Sequence, residues 1–136
     1  MLIPAGVVAL VDDDVYVLQA LERALVSYQY RVRTYTSAEE YLAHANAGEI
    51  LCTVIDIQLG GGLSGLDLGE MISESIHPTP VVFMTGSDDS ALHARALDIG
   101  CAAFLHKPFL TSMLIGTIMT IEGRDYPGIR PRQVAP

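Results

Sequence analysis

Four short, mainly apolar runs along the chain are each followed by polar residues suited to phosphate chemistry. The runs cover residues 7–11, 51–55, 81–84 and 102–106, and the polar residues after them are Asp12, Asp13, Asp56, Thr85 and Lys107. Short β-branched and aliphatic runs are typical of strands buried on both faces, as in a parallel sheet. Because ligands bind outside the carboxyl ends of such strands, we expect these polar side chains to meet at one edge of the sheet.

Helical signals alternate with these runs. Val15, Leu18, Leu21 and Leu25 form one apolar stripe, which predicts an amphipathic helix over about residues 15–28. A further strand is predicted at Arg31–Tyr35. The remaining helices are predicted over about residues 37–47 (with Gly48 as its stop), 65–76, 87–100 (with Ser87 or the acid pair Asp88-Asp89 as caps) and 110–122. Strict alternation predicts an α/β fold, a doubly wound parallel sheet of five strands with five helices.

Composition limits the possible classes of protein. With 136 residues, half of them hydrophobic, the chain is predicted to form one domain without a membrane span or signal peptide, and we expect it in the cytoplasm. The net charge of −8 disfavours direct binding to nucleic acid. Cys52 and Cys101 are interpreted as thiols of the core, with a disulfide or metal pair as the alternative.

The last residues differ from the rest of the chain. Residues 123–136 hold three prolines, two glycines and three arginines, and they lack apolar periodicity. This composition predicts a flexible tail over 123–136 that follows a folded domain over 1–122.

Three carboxylates are predicted to form a cation site. An aspartate after a strand often caps the next helix, and this interpretation suits Asp14. It does not explain Asp12, Asp13 and Asp56 together, because neighbouring parallel strands would crowd three negative charges that only a cation can neutralise. Oxygen ligands with room for water favour Mg²⁺ or Mn²⁺.

Thr85 and Lys107 complete the set of polar residues at the strand ends. Lys107 is the only lysine of the sequence, and Pro108 follows it, so a cis Lys107–Pro108 bond is possible. A hydroxyl, an ammonium group and a divalent ion are the groups that hold the three oxygens of a phosphoryl group.

Over about residues 6–122 the chain resembles the receiver domain of two-component response regulators. The resemblance rests on the order and spacing of Asp12-Asp13, Asp56, Thr85-Gly86 and Lys107-Pro108-Phe109. It implies a flavodoxin-like sheet with strand order 2-1-3-4-5. The stretches around Thr85 and Lys107 look most like receivers that carry a DNA-binding output domain; since this sequence contains none, we expect a stand-alone receiver of the chemotaxis type.

The resemblance also implies a role for each site residue. Asp56 would accept phosphate, and Asp13, Asp56 and the backbone carbonyl of Gln58 would bind Mg²⁺ directly, with Asp12 acting largely through water. Thr85 would hydrogen-bond the acyl phosphate and Lys107 would pair with it. Phe104 would be the aromatic rotamer switch. Apart from accepting phosphate and slowly losing it, such a domain is not an enzyme.

The implied partners are two kinds of protein. A sensor histidine kinase or phosphotransfer protein would supply phosphate. A downstream protein would dock on the face of the fourth helix, fifth strand and fifth helix, near Ala91–Ile99 and Leu110–Ile121. A phosphorylation-dependent dimer is a further expectation.

The loop after Asp56 departs from the receiver pattern. Gly60 stands where receivers commonly have proline, and the loop Gly60–Gly65 is one residue longer than usual. Gly60, Gly62 and Gly65 also match GxGxxG, but we reject a dinucleotide site because no acid ends the following strand and bare motif matches are weak evidence.

Two other functions remain as alternatives. A phosphatase of the haloacid-dehalogenase type also uses aspartate, threonine or serine, and lysine on a similar sheet, but its nucleophile lies on the first strand and an acid pair follows its lysine. No acid pair follows Lys107 here. A phosphorylation-independent pseudo-receiver scaffold is disfavoured by the complete set of site residues.

Overall fold

The computed structural model describes residues 6–123. Within this range five strands alternate with five helices, and a short 3-10 turn lies at Ala47–Glu49. The strands are β1 (Val7–Val11), β2 (Arg31–Tyr35), β3 (Ile50–Asp56), β4 (Val81–Thr85) and β5 (Ala103–His106). The helices are α1 (Val15–Ser27), α2 (Ala38–His44), α3 (Gly65–Ser73), α4 (Ser90–Ile99) and α5 (Thr111–Ile121).

All five strands are parallel and lie in the order β2-β1-β3-β4-β5. The predicted α/β fold and strand order are therefore confirmed. The register places Val11 beside Ile55 and Thr85 beside His106. As a result the carboxyl ends of β1, β3, β4 and β5 lie along one edge of the sheet.

A hydrophobic core covers each face of the sheet. One core packs α1 and α5 against the strands, with Leu25 and Ile118 fully buried. The other packs α2, α3 and α4, with Leu68 and Ala96 fully buried. Because β1 and β4 are buried along their whole length, their sequences read as continuous apolar runs.

The structure corrects the predicted ends of two helices. Helix α2 ends at His44 instead of near Ala47, because the Asn46 side chain accepts from the Gly48 N–H and caps the separate 3-10 turn. Helix α3 ends at Ser73 instead of near residue 76.

The caps of α1 and α4 are aspartates. Asp14 caps α1 as predicted, accepting from the N–H groups of Tyr16 and Val17. Helix α4 is capped by Asp89, whereas Asp88 lies 2.9 Å from Nε2 of His106 on β5.

The predicted tail over residues 123–136 lies, except for Gly123, outside the described residues. In the described part of the chain, no helix combines the length and the apolar character needed to cross a membrane.

Candidate phosphoacceptor site

Asp12, Asp13 and Asp56 meet at the carboxyl edge of the sheet. Asp12 and Asp13 directly follow β1, and Asp56 is the last residue of the neighbouring strand β3. One carboxylate oxygen from each residue lies within 4.8 Å of the others. The sheet therefore brings together the three carboxylates that the strand-end pattern singled out.

These carboxylates differ in their exposure to solvent. Asp12 is fully buried and Asp56 is 6% exposed, whereas Asp13 is exposed. Burial, together with the charge of Asp56, raises the pKa of Asp12 even though Lys107 and the Asp14 N–H act in the opposite direction. Burial thus disfavours the negative charge of Asp12.

Lys107 is the cation that the fold supplies to this cluster. It directly follows β5, and its Nζ donates to Oδ2 of Asp12 at 3.1 Å and to Oδ2 of Asp56 at 3.0 Å. Burial lowers the pKa of Lys107, but hydrogen bonds and charges from Asp56 and Asp12 outweigh that effect and raise the pKa overall. The bond from Lys107 to Pro108 is cis.

Thr85 ends β4 and is buried beside the carboxylates. Its hydroxyl oxygen accepts from the Ser87 N–H at 3.0 Å, and its hydroxyl lies 3.5 Å from Oε1 of Gln58. The Gln58 N–H in turn donates to Oδ1 of Asp56 at 2.9 Å. Sequence reasoning assigned Gln58 only a backbone carbonyl, and it missed this side chain and this N–H.

Phe104 lies on β5 opposite Phe83 of β4 and is 8% exposed. Its ring is stacked on the imidazole of His93 from α4, with ring centres 4.4 Å apart and planes 12° from parallel. The residue predicted to be an aromatic switch is therefore buried against the fourth helix in this structure. The stacking partner was not predicted, because His93 has no motif that marks it.

The position of α3 depends on Gly65. A Cβ on Gly65 would collide with the backbone carbonyl oxygen of Asp56, so only glycine allows α3 to begin this close to the end of β3. The Gly65 N–H donates to the carbonyl of Ile57 at 2.9 Å. This contact fixes the return of the chain after Asp56.

The donor set suits a hard divalent cation. Asp12, Asp13 and Asp56 offer only oxygen atoms, and exposed Asp13 opens the cluster to water. Mg²⁺ and Mn²⁺ prefer carboxylates with several retained waters. The residues present therefore fit the cofactor that the sequence predicted.

Residues 8–119 match the response regulator receiver domain family. The match covers most of the chain and includes every element from β1 to nearly the end of α5. The chain therefore belongs to the response regulator receiver domain family of two-component signalling systems.

Individual relatives agree with this assignment. The chain is 31% identical to the response regulator protein TodT of Pseudomonas putida over 114 residues, which cover 84% of this chain and 50% of that protein. It is 33% identical to nodulation protein W of Bradyrhizobium diazoefficiens over 121 residues, which cover 88% and 52% of the two chains. The chain thus spans about half the length of these two relatives.

A solved structure supports the fold. A CheY-like response regulator receiver domain protein from Methanospirillum hungatei superimposes with a TM-score of 0.80 at 22% identity. The superposition covers 88% of this chain and 96% of that one.

Proposed function

We propose that this chain accepts a phosphoryl group on Asp56 from a sensor histidine kinase or phosphotransfer protein, and then changes conformation to control a protein partner. The observation that carries the proposal is the environment of Asp56. Its Oδ2 lies 3.0 Å from the ammonium of Lys107, and the carboxylates of Asp12 and Asp13 are adjacent. Asp12 shares the contact with Lys107 but is fully buried, whereas Asp56 ends β3 and is 6% exposed.

In the transfer, a carboxylate oxygen of Asp56 attacks the phosphorus of a phosphohistidine. A P–O bond to Asp56 forms as the P–N bond breaks, and the electron pair of that bond leaves with the imidazole nitrogen. Lys107 donates N–H groups to the phosphoryl oxygens. Thr85 accepts from the Ser87 N–H, and its hydroxyl would turn from the 3.5 Å hydrogen bond that it donates to Oε1 of Gln58 to donate to another of them.

Asp13, Asp56 and the backbone carbonyl of Gln58 would hold Mg²⁺ or Mn²⁺ directly, with Asp12 acting largely through water. When bound, the ion supplies positive charge that offsets the carboxylates and the incoming phosphoryl oxygens. The chain's own chemistry is limited to accepting the phosphoryl group and slowly losing it, so we do not propose that it is an enzyme with an external substrate.

The phosphorylated state would be relayed through Thr85 and Phe104. A Thr85 hydroxyl drawn towards the phosphoryl group changes the space beside Phe104, whose ring already contacts His93 of α4. A few kcal/mol of differential contact is enough to shift the populations of two such states. The downstream protein, or a second copy of this chain, would dock near Ala91–Ile99 and Leu110–Ile121, without direct contact to nucleic acid.

Labelling with a small phosphodonor tests the acceptor. With acetyl phosphate and Mg²⁺, the intact mass should increase by one phosphoryl group, and the label should be lost in acid and base. Asp56→Asn should abolish the label because the amide nitrogen and oxygen are poor nucleophiles. Asp98→Asn, which removes an exposed carboxylate from α4, is the matched control and should label like the parent chain. Equal labelling of the Asp56→Asn chain would contradict the proposal.

A further inference from the structure

The loop between β3 and α3 is held from outside by two carboxylates. We call residues Gly60–Ser64 the glycine loop. At its start, the Gly60 N–H donates to Oδ2 of Asp13 at 3.0 Å. Near its end, the Leu63 N–H donates to Oε2 of Glu39 at 2.8 Å, and Glu39 lies in the first turn of α2. One carboxylate belongs to the proposed metal site and the other lies outside it.

The approach of Glu39 depends on the glycines of the loop. Gly61 and Gly62 have φ angles of +65° and +55°, which residues with side chains rarely adopt. A Cβ on Gly62 would also collide with the Glu39 carboxylate. The glycines therefore allow the loop both its conformation and its contact with Glu39.

Glu39 and its neighbour Glu40 bind different groups. The hydrogen bond from the Leu63 N–H has the largest effect on the pKa of Glu39 and lowers it. The next residue, Glu40, binds a different group, since its Oε1 accepts from the Thr36 N–H at 2.7 Å. Two acids in the same helical turn thus have separate hydrogen-bond partners, and only Glu39 contacts the glycine loop.

Asp13 needs an external restraint more than its neighbours do. Asp12 is buried and bonded to Lys107 and to the Asp14 N–H, and Asp56 is bonded to Lys107 and the Gln58 N–H. Asp13 is exposed, and the hydrogen bond that the structure gives its side chain comes from Gly60. A carboxylate that is held in place loses less conformational entropy when it binds an ion.

We propose that Glu39 is a positioning residue for the metal site. Through the Leu63 N–H it holds the glycine loop, and through the Gly60 N–H the loop holds Asp13 towards Asp12 and Asp56. This inference rests on the proposed metal site. It also gives the longer, proline-free loop a physical role, because a proline in place of Gly60 has no N–H to donate.

The test measures the Mg²⁺ dissociation constant by following amide chemical shifts during titration with MgCl₂. Glu39→Ala should raise the dissociation constant by about three- to tenfold, which corresponds to freeing one side chain. Glu39→Gln keeps an acceptor oxygen and should retain most of the affinity. Glu40→Ala removes the same charge from the same turn and should leave the affinity close to that of the parent chain.

A second pair of variants tests the other contact of the glycine loop. Gly60→Ala and Gly60→Pro both place a Cβ about where the structure leaves 3.1 Å to Oδ2 of Asp13, but only the proline lacks the N–H. Gly60→Pro should therefore bind Mg²⁺ more weakly than Gly60→Ala. Adding Glu39→Ala to Gly60→Pro should cause little further loss, because both changes release the same carboxylate.

Each outcome supports or overturns the inference. In the metal-free protein, Glu39→Ala should shift the Gly60 amide resonance, and Glu40→Ala should not. Equal affinities for the Glu39→Ala and parent chains, or equal losses for Glu39→Ala and Glu40→Ala, would overturn the positioning role while leaving the metal site intact. A parent chain that does not bind Mg²⁺ would overturn both the metal site and this inference.

Discussion

Two clusters of polar groups, one between α2 and β3 and one at the carboxyl edge of the sheet, differ in their charge. Tyr41 of α2 and Thr53 of β3 are both buried, and their hydroxyl oxygens lie 3.1 Å apart. This pair is neutral, and each hydroxyl has the other as a partner. The site at the carboxyl edge has three carboxylates and one ammonium group within hydrogen-bonding or ion-binding distance.

The two clusters differ in whether their hydrogen-bonding groups and charges are balanced within the cluster. Burial raises the pKa of Tyr41 and so keeps its hydroxyl neutral, which suits a hydrogen bond inside the core. At the carboxyl edge, one ammonium group, that of Lys107, faces three carboxylates, and this surplus of acidic groups favours the binding of a cation. A polar cluster that is satisfied internally stabilises the fold, whereas one with surplus charge is suited to binding.

Two ion pairs of equal length differ in how far their side chains are buried. Lys107–Asp56 and Arg95–Asp67 both have an N···O distance of 3.0 Å. The side chains of the first pair are 27% and 9% exposed, and those of the second are 44% and 40% exposed. We expect the buried pair to matter more, because solvent screens the exposed one.

The largest expected effect comes from removing the cation of the site. Lys107→Met leaves the buried Asp12 and Asp56 with backbone N–H donors but without their cationic partner. It should lower the free energy of unfolding by about 2 kcal/mol, less than for a fully buried pair because Lys107 is partly exposed. Arg95→Met is the control and should cost less than about 1 kcal/mol. Urea denaturation without Mg²⁺ measures both. Equal losses would show that burial does not distinguish the two pairs.

Mg²⁺ should stabilise the charged cluster. At ten times its dissociation constant, the ion should add about 1.4 kcal/mol to the free energy of unfolding, because it binds the folded chain. Thermal melts with and without MgCl₂ measure this change. Asp13→Asn should remove most of the gain, since it takes away the exposed ligand. An unchanged melting temperature in the parent chain at millimolar Mg²⁺ would contradict the metal site.

The smallest expected effect is in the neutral pair. Tyr41→Phe removes one hydroxyl and leaves Thr53 without this partner, which should cost about 1 kcal/mol. Tyr16→Phe, in which the lost hydroxyl belongs to an exposed residue, should have almost no effect. The Tyr41→Phe loss should be the same with and without Mg²⁺. A loss that Mg²⁺ reverses would mean that the two clusters are coupled and that the contrast between them is wrong.

The sequence predicted the architecture well because buried parallel strands leave a simple signal. β1 and β4 are buried at every position, so their apolar runs mark them clearly. The end of α2 was predicted less well, because Asn46 and Ala47 are compatible with a helix and the competing cap from Asn46 to Gly48 is a local detail. The cap of α4 was predicted only as a choice among Ser87, Asp88 and Asp89, and in the structure Asp89 caps this helix.

The candidate site, like the fold, was predicted from the sequence only in part. The strand-end rule was enough to group Asp12, Asp13, Asp56, Thr85 and Lys107, and the structure brings them to one edge. The stacking of Phe104 on His93 and the contact of Glu39 with Leu63 were not predicted. Both depend on how one helix lies against a strand or a loop, and a hydrogen bond to a backbone N–H leaves no residue pattern in the sequence.

The order of residues along the chain is thus enough to identify the strands, the helices and the reactive residues at the strand ends, because burial and chain reversal act over a few neighbouring residues. The distances between these reactive side chains depend on the tertiary fold. Lys107 reaches Asp12 across 95 positions of sequence, because β1, β3, β4 and β5 lie side by side in register. The left-handed glycines let the loop approach Glu39 and Asp13, and no property of Glu39 alone distinguishes it from Glu40.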